Sequence, residues 1–202
     1  KLIRRGQVNR EVVKLICRNS RTPAERKGDL SAQVASIRVG ERRLEDIIIR
    51  YGLSTTHAHM EALLDYAERM TRAAIRQIPY GHYEFTDYMD DDGLSGQPVP
   101  IAVHITVQGD AMGVNFEGTS GQLPGCINAP RAVTVSAVLY LVHCIAGEHV
   151  PANQGCLRPV TISIPSGSLV NPDPDRGVAG GNVETSQRIT DVLFGAMAKA
   201  LP

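Results

Sequence analysis

The sequence of 202 residues contains no tryptophan, few aromatic residues and no excess of charge of either sign. Aromatic residues make up 4% of it, and 21 Lys and Arg balance 21 Asp and Glu. Nucleic-acid-binding surfaces typically combine strong positive charge with aromatic side chains that stack on bases. The composition therefore argues against a nucleic acid as partner, and the zero net charge gives no electrostatic reason to expect an anionic membrane surface.

Long apolar runs and paired cysteines are also missing. No apolar run approaches the roughly 18 residues of a membrane-spanning helix, and no secretory signal pattern is present. Cys17, Cys126, Cys144 and Cys156 form no C-x-x-C pair and match no zinc spacing, which favours reduced thiols. We therefore expect a cytoplasmic protein without a membrane span.

Common motifs for nucleotide binding, metal binding and nucleophilic catalysis are absent as well. The sequence has no G-x-G-x-x-G or G-x-x-x-x-G-K-[ST] phosphate loop, and no G-x-S-x-G elbow. Its six histidines show neither H-E-x-x-H nor H-x-x-x-H spacing, and the Asp-rich stretch 87–93 lacks the alternating ligands of an EF-hand. We expect an acidic turn at 87–93 and no metal bound entirely by this segment.

The apolar periodicity changes along the chain from helical to strand-like. Residues 1–18 predict a first helix, 28–52 a second and 54–78 a third; Asp29 is the expected N-cap of the second and Gly52 its stop. The stretches 82–93, 99–110, 111–122 and 157–172 predict strands, with a hairpin turn at Gly109. Residues 129–147 and the stretch after Gly181 predict two further helices.

The predicted class is α+β: a helical hairpin, a small mixed or antiparallel sheet, and packing helices. We divide the chain into a helical region at 1–79 and a mixed sheet-and-helix region at 80–202 of the same domain. Residues 1–28 form a basic lead-in with nine Lys or Arg against two Glu. Such a segment is interpreted as a solvated helix face, with a docking surface for an acidic partner as the alternative.

Two polar clusters precede apolar helical stretches and are the candidate sites. From the first cluster, which precedes the helical stretch after Pro130, the candidate is Asn128. The second cluster follows two glycines and comprises Asn182, Glu184, Thr185, Ser186, Gln187 and Arg188. Capping by Asn182, with Glu184 at the positive end of the helix dipole, accounts for one or two of these side chains. A helix start after Gly-Gly also suits an anion or a subunit contact, so capping, an interface and a ligand site remain open. No catalytic residue is assigned.

Five stretches then allow a comparison with a known family. They are "GDLSAQVASIRVGERRLEDIIIRYG", "YMDDDG", "VNFEGTSGQLPGCINAPRAVTVSAVLYLVHC", "VPANQGCLRPVTISIPSGSLVNP" and "GGNVETSQRITDVLFGAMAKALP". In this order, from Leu2 to Pro202, they resemble the hydantoinase B/oxoprolinase family. That family includes the B-type subunits of ATP-dependent N-methylhydantoinases, the C-terminal part of 5-oxoprolinases, and subunits of acetone and acetophenone carboxylases. Asn115 departs from it, since the family usually has an aspartate there.

The resemblance implies the middle portion of a B-type subunit of an ATP-dependent cyclic-amide hydrolase, within a hetero-oligomer. ATP and Mg would bind an A-type subunit or domain with an actin-like ATPase fold, and a divalent metal would be held by residues outside this segment. Asn128 and the polar residues at 182–188 would then face the substrate or the partner. The alternatives are a subunit portion of a biotin-independent ketone carboxylase and a scaffold or interface fragment without activity alone.

Overall fold

A computed structural model describes residues 1–201, which form two compact units, Lys1–His59 and the residues from Met60 onward. The first unit contains β1 (Ile3–Arg4), β2 (Gln7–Val8), α1 (Arg10–Arg18) and α2 (Pro23–Tyr51). The third helix, α3 (Leu53–Ile75), extends across the division. The division into units thus lies before residue 79, where the change from helical to strand-like periodicity occurs.

The prediction of a helix over residues 1–18 is wrong in its first half, where the chain forms a small β-hairpin. Arg5 and Gly6 make the turn with φ of 50° and 76°, and Ile3 pairs with Val8. Helix α1 begins only after Asn9, whose side-chain oxygen accepts the N–H groups of Glu11 and Val12 at 3.2 and 3.3 Å. This N-cap fixes the helix start, because it satisfies donors that have no partner inside the helix.

Helix α2 begins earlier than its apolar stripe indicates. Pro23 occupies its first turn, where the fixed φ of proline favours a helix start and the missing N–H costs nothing. The prediction that Asp29 caps this helix is therefore wrong; its carboxylate instead accepts from Arg26 at 2.8 Å within the helix. The stop at Gly52 is confirmed, and its φ of 83° ends the helical conformation.

Much of the apolar stripe of α2 is exposed. No residue of this helix is buried, and Ile37 and Ile49 are 66% and 83% exposed. Three other residues of the stripe, Leu30, Val34 and Ile48, are half-buried.

The second unit is a mixed sheet with two packing helices, which confirms the α+β class. Its strand order is β3-β4-β5-β6, with two antiparallel pairs and a parallel β5–β6 pair. Gly109 has a φ of 63° in the tight β4–β5 turn, as predicted. The elements are β3 (Gly81–Met89), β4 (Val99–Gln108), β5 (Ala111–Asn115), α4 (Arg131–Ala146), β6 (Val160–Ser163) and α5 (Ser186–Met197), with a 3₁₀ turn at Gln154–Leu157 and a π-helical turn at Gly181–Thr185.

The core of the second unit fixes the position of α5. Helix α5 packs against β3, β4 and α4, and its side chains Ile189, Val192 and Leu193 are fully buried. Gly195 allows the close approach to β3, since a Cβ atom there would lie 2.6 Å from the ring of Phe85. No helix within residues 1–201 is long and apolar enough to cross a membrane.

Candidate functional site

The closing helix begins in a π-helical turn, Gly181–Thr185, which runs directly into α5. Neither the turn nor α5 has a side-chain cap, so the predicted N-cap at Asn182 is wrong. The physical reason is that the backbone satisfies these donors itself: the N–H groups of Val183 and Glu184 both donate to the Gly180 carbonyl, at 3.1 and 2.8 Å. The side chain of Asn182 is thus left exposed and is not needed for capping.

Two predicted site residues, Asn128 and Thr185, are fully buried and hold this turn in place. The Asn128 side chain accepts the Leu123 N–H at 2.8 Å and donates to the carbonyls of Leu123, Gly125 and Gly177 at 3.0–3.1 Å. The Thr185 hydroxyl donates to the Ile127 carbonyl. These side chains therefore join two loops beneath the turn and do not face the surface.

The two loops also meet through their backbones. The Gly180 N–H donates to the Cys126 carbonyl at 2.8 Å. A Cβ atom on Gly181 would lie 2.1 Å from the Asn128 carbonyl oxygen, far inside van der Waals contact. The glycine pair at 180–181 is thus explained by a close backbone approach.

The other five predicted residues lie at the surface, on either side of the start of α5. Asn182, Glu184 and Gln187 are exposed, and Ser186 and Arg188 are half-buried. They line two shallow cavities of about 360 and 480 Å³. We call the first the acidic cavity; its charged lining comprises Asp90, Asp91, Glu184, Arg188 and Asp191. We call the second the α4–α5 groove; its polar lining comprises Ser136, Asn182, Ser186, Gln187, Thr190 and Asp191.

The charge of Arg188 is neutralised by an aspartate distant in sequence. Its guanidinium Nη1 donates to the carboxylate of Asp87 at the end of β3 and lies 3.6 Å from Asp191. The pKa of Asp87 is held below its usual value, first because the Tyr88 N–H donates to it at 2.8 Å and also because of Arg188. With this cation paired, the carboxylates around the acidic cavity leave it electronegative.

The Asp-rich stretch forms an acidic turn, as predicted. Asp91 accepts the Gly93 N–H, and Asp92 accepts the N–H groups of Leu94 and Ser95. The pKa of Asp92 is lowered because these backbone groups, Ser95 first, stabilise its charged form. The two carboxylates are therefore used to hold the loop beside the acidic cavity.

The acidic cavity suits neither a metal ion nor ATP. Within residues 1–201, no group of three or more His, Cys, Asp or Glu side chains could hold a metal ion. A triphosphate carries several negative charges and would be repelled by the carboxylates that surround Arg188 in the acidic cavity. Asn115, the departure from the family pattern, accepts the Glu117 N–H at 3.0 Å in the turn after β5 and lines neither cavity.

Sequence reasoning missed the residues that other segments bring to this site. Asp87 is 101 residues from Arg188, and Ser136 belongs to α4. No local pattern connects them to the polar cluster, because the packing of α5 on β3 and α4 creates the neighbourhood. Asp191 follows Arg188 by three positions, so helical spacing alone could have indicated it.

The sequence profile described as Hydantoinase B/oxoprolinase matches residues 1–202. The chain belongs to this family. Among curated relatives, the 5-oxoprolinase of Saccharomyces cerevisiae is 39% identical over 88% of this chain and 14% of its own length. A putative B-type subunit of a D-/L-hydantoinase from Pseudomonas sp. is 35% identical over 100% of this chain and 36% of its own length. The chain thus spans between about one seventh and one third of these family members.

Two solved structures share the fold of this chain. The ATP-dependent caprolactamase of Pseudomonas jessenii superposes with a TM-score of 0.87 at 30% identity, over 100% of this chain and 35% of that one. An acetone carboxylase superposes with a TM-score of 0.81 over 99% of this chain and 28% of its own. At 16% identity, the second similarity shows the fold alone.

Proposed function

We propose that this chain is a portion of the B-type subunit of an ATP-dependent cyclic-amide hydrolase. The observation that carries the proposal is the caprolactamase similarity, which extends over the whole chain at 30% identity. The 5-oxoprolinase and D-/L-hydantoinase relatives support the same class of reaction. In this proposal the surface at the start of α5 forms part of the substrate cavity.

The side chains at that surface favour a neutral polar ligand. Asn182, Ser186 and Gln187 offer amide and hydroxyl groups that both donate and accept hydrogen bonds, as a cyclic amide also does. The nearby carboxylates disfavour an anion. This charge favours a neutral lactam or hydantoin over 5-oxoproline, and over the bicarbonate that a ketone carboxylase would require.

ATP, Mg and any divalent metal are assigned to other parts of the assembly. The hydantoinase relative is named as one subunit of its enzyme, which supports a partner, and for this partner we propose an A-type ATPase subunit or domain. A metal would be held by residues outside this segment. The four free cysteines of the chain are consistent with the proposed cytoplasmic location.

Reconstitution of the complete complex tests this function. The chain, within its full B-type subunit, is combined with the A-type subunit, and ATP turnover is measured with neutral lactams, hydantoins, 5-oxoproline and ketones, with and without bicarbonate. We expect turnover with neutral cyclic amides, and none from this chain alone. Bicarbonate-dependent turnover of ketones would support the carboxylase alternative, and turnover by the isolated chain would contradict the assignment of ATP to a partner.

Alanine variants test whether the start of α5 serves the reaction. We expect Asn182→Ala and Arg188→Ala to lower turnover of the complex by about tenfold, because the first removes a ligand contact and the second leaves the carboxylate of Asp87 without its cation beside the cavity. The stability cost should stay near 1 kcal/mol or below, since Asn182 is exposed and the Arg188–Asp87 pair is partly solvated. Gln33→Ala, an exposed amide on α2 outside both cavities, is the control. A melting temperature that falls in step with turnover would instead indicate a structural role.

A further inference from the structure

The basic lead-in lies along a groove that the proposed function does not use. This groove of about 510 Å³ is lined by the β1–β2 hairpin, α1 and α2, all within the first unit. Its apolar lining comprises Leu2, Val8, Val13, Leu30, Val34 and Ala35. All of its charged lining residues are cations: Arg10, Lys14, Lys27 and Arg38. The groove thus combines an apolar surface with exclusively positive charge.

The first unit has no apolar core of its own. No apolar side chain of Lys1–His59 is buried, and Leu15 and Ile37 are more than 60% exposed. Helices in proteins gain most of their stability by burying an apolar face against a neighbour. Contiguous exposed apolar surface of this kind marks an interaction site. We therefore expect polypeptide outside residues 1–201 to cover this unit.

The charges around the groove indicate what that polypeptide carries. Arg10, Lys27 and Arg38 form no ion pair within residues 1–201, and Lys14 pairs only with Glu11 of its own helix, at 2.9 Å. The segment 1–28 has nine Lys or Arg against two Glu. Complementary charge across an interface fixes the register and speeds association, so these cations select an acidic partner.

We propose that this groove binds an acidic amphipathic helix of a partner protein. The apolar side of that helix, with anchors at i, i+3, i+4 and i+7, contacts Val13, Leu30 and Val34. Its carboxylates lie opposite Lys27 and Arg38, which are eleven residues apart on α2 and therefore on the same side of that helix. The basic lead-in is then a docking surface rather than a solvated helix face.

Peptide binding to the full chain tests this proposal. The probe is a fluorescein-labelled helical peptide of about 18 residues with a leucine stripe and Glu at the flanking positions; its matched control has Lys in place of every Glu. Fluorescence anisotropy is followed at low and high salt. We expect the Glu peptide to bind at least about tenfold more tightly than the Lys peptide, and the difference to shrink as salt screens the charges.

Charge reversal identifies the groove as the binding surface. We expect Lys27→Glu combined with Arg38→Glu to abolish the preference for the Glu peptide, because Arg10 and Lys14 then balance the two introduced carboxylates. Arg42→Glu combined with Arg43→Glu makes the same charge change on α2 outside the groove and should leave binding within about twofold. All four positions are exposed, and circular dichroism verifies that helix content is retained in both variants.

Several results would overturn the proposal. Equal binding of both peptides, or no binding of either, would exclude an acidic helix as the occupant. Binding to anionic phosphatidylglycerol vesicles, lost in Lys27→Glu/Arg38→Glu while the Glu peptide does not bind, would assign the groove to a lipid surface. Self-association of the chain that is abolished by Leu30→Asp, again without peptide binding, would assign it to a second copy.

Discussion

Two asparagines of the candidate site differ in burial, and alanine substitutions should separate their effects on stability. Asn128 is fully buried, and its side chain makes four hydrogen bonds to backbone groups of two loops. Asn182 is exposed at the start of α5. We expect Asn128→Ala to destabilise the protein strongly and Asn182→Ala to leave its stability nearly unchanged.

The magnitude follows from the hydrogen bonds that each substitution removes. A buried hydrogen bond contributes about 1 kcal/mol net, and an unsatisfied buried partner costs about 1–3 kcal/mol. Leu123 and Gly125 are only partly buried and Gly177 is exposed, so water can replace some of the lost bonds at their carbonyls. We expect a loss of about 3 kcal/mol for Asn128→Ala, and less than about 0.5 kcal/mol for Asn182→Ala.

Thermal unfolding followed by tyrosine fluorescence measures this difference. The sequence has no tryptophan, and five of its six tyrosines lie in the second unit, so their emission reports on the unit that contains both asparagines. A loss of 3 kcal/mol should lower the melting temperature by roughly 6–12 °C in a domain of this size. Equal melting temperatures for the two variants, or a larger decrease for Asn182→Ala, would refute the reasoning.

Two further predictions concern the backbone and the acidic turn. Gly181→Ala should cost about 3 kcal/mol or prevent folding, because its Cβ would meet the Asn128 carbonyl at 2.1 Å; Gly28→Ala, where nothing lies within 4 Å, should cost nothing in urea unfolding. The lowered pKa of Asp92 means that its charged form stabilises the fold above the unfolded pKa of about 3.9, and this contribution is lost as pH falls through that value and below it. Asp92→Asn keeps an oxygen acceptor but cannot titrate, so the free energy of unfolding should depend less steeply on pH below about pH 5. An unchanged pH dependence would show that ionisation of Asp92 does not contribute to stability.

Much of the fold could be predicted because local rules decide it. The stop of α2 at Gly52, the turn at Gly109 and the alternating strands follow from backbone conformations that glycine permits and from side-chain periodicity. The start of α2 was missed because Pro23 and the polar residues after it carry no apolar stripe. The hairpin at Ile3–Val8 was missed because two-residue strands give too short a pattern for periodicity to detect.

The sequence could select polar residues for the candidate site, but it could not tell which of them are exposed. Seven polar residues were selected from two clusters, and the structure divides them: Asn128 and Thr185 join loops in the interior, while the others remain at the surface. The sequence could not make this division, because a buried asparagine and an exposed one differ only in which backbone groups surround them. The pairing of Arg188 with Asp87 depends in the same way on the packing of α5 against β3.

The sequence by itself thus determined the family, the α+β class and the position of the polar segment after Gly180 and Gly181. Those features are encoded in residue type and spacing along the chain. Only the tertiary structure decided why the two glycines are needed, which polar residues are exposed, and what charge surrounds Arg188. These depend on contacts between segments about 50 to 100 residues apart, and such contacts exist only after the helices have packed on the sheet.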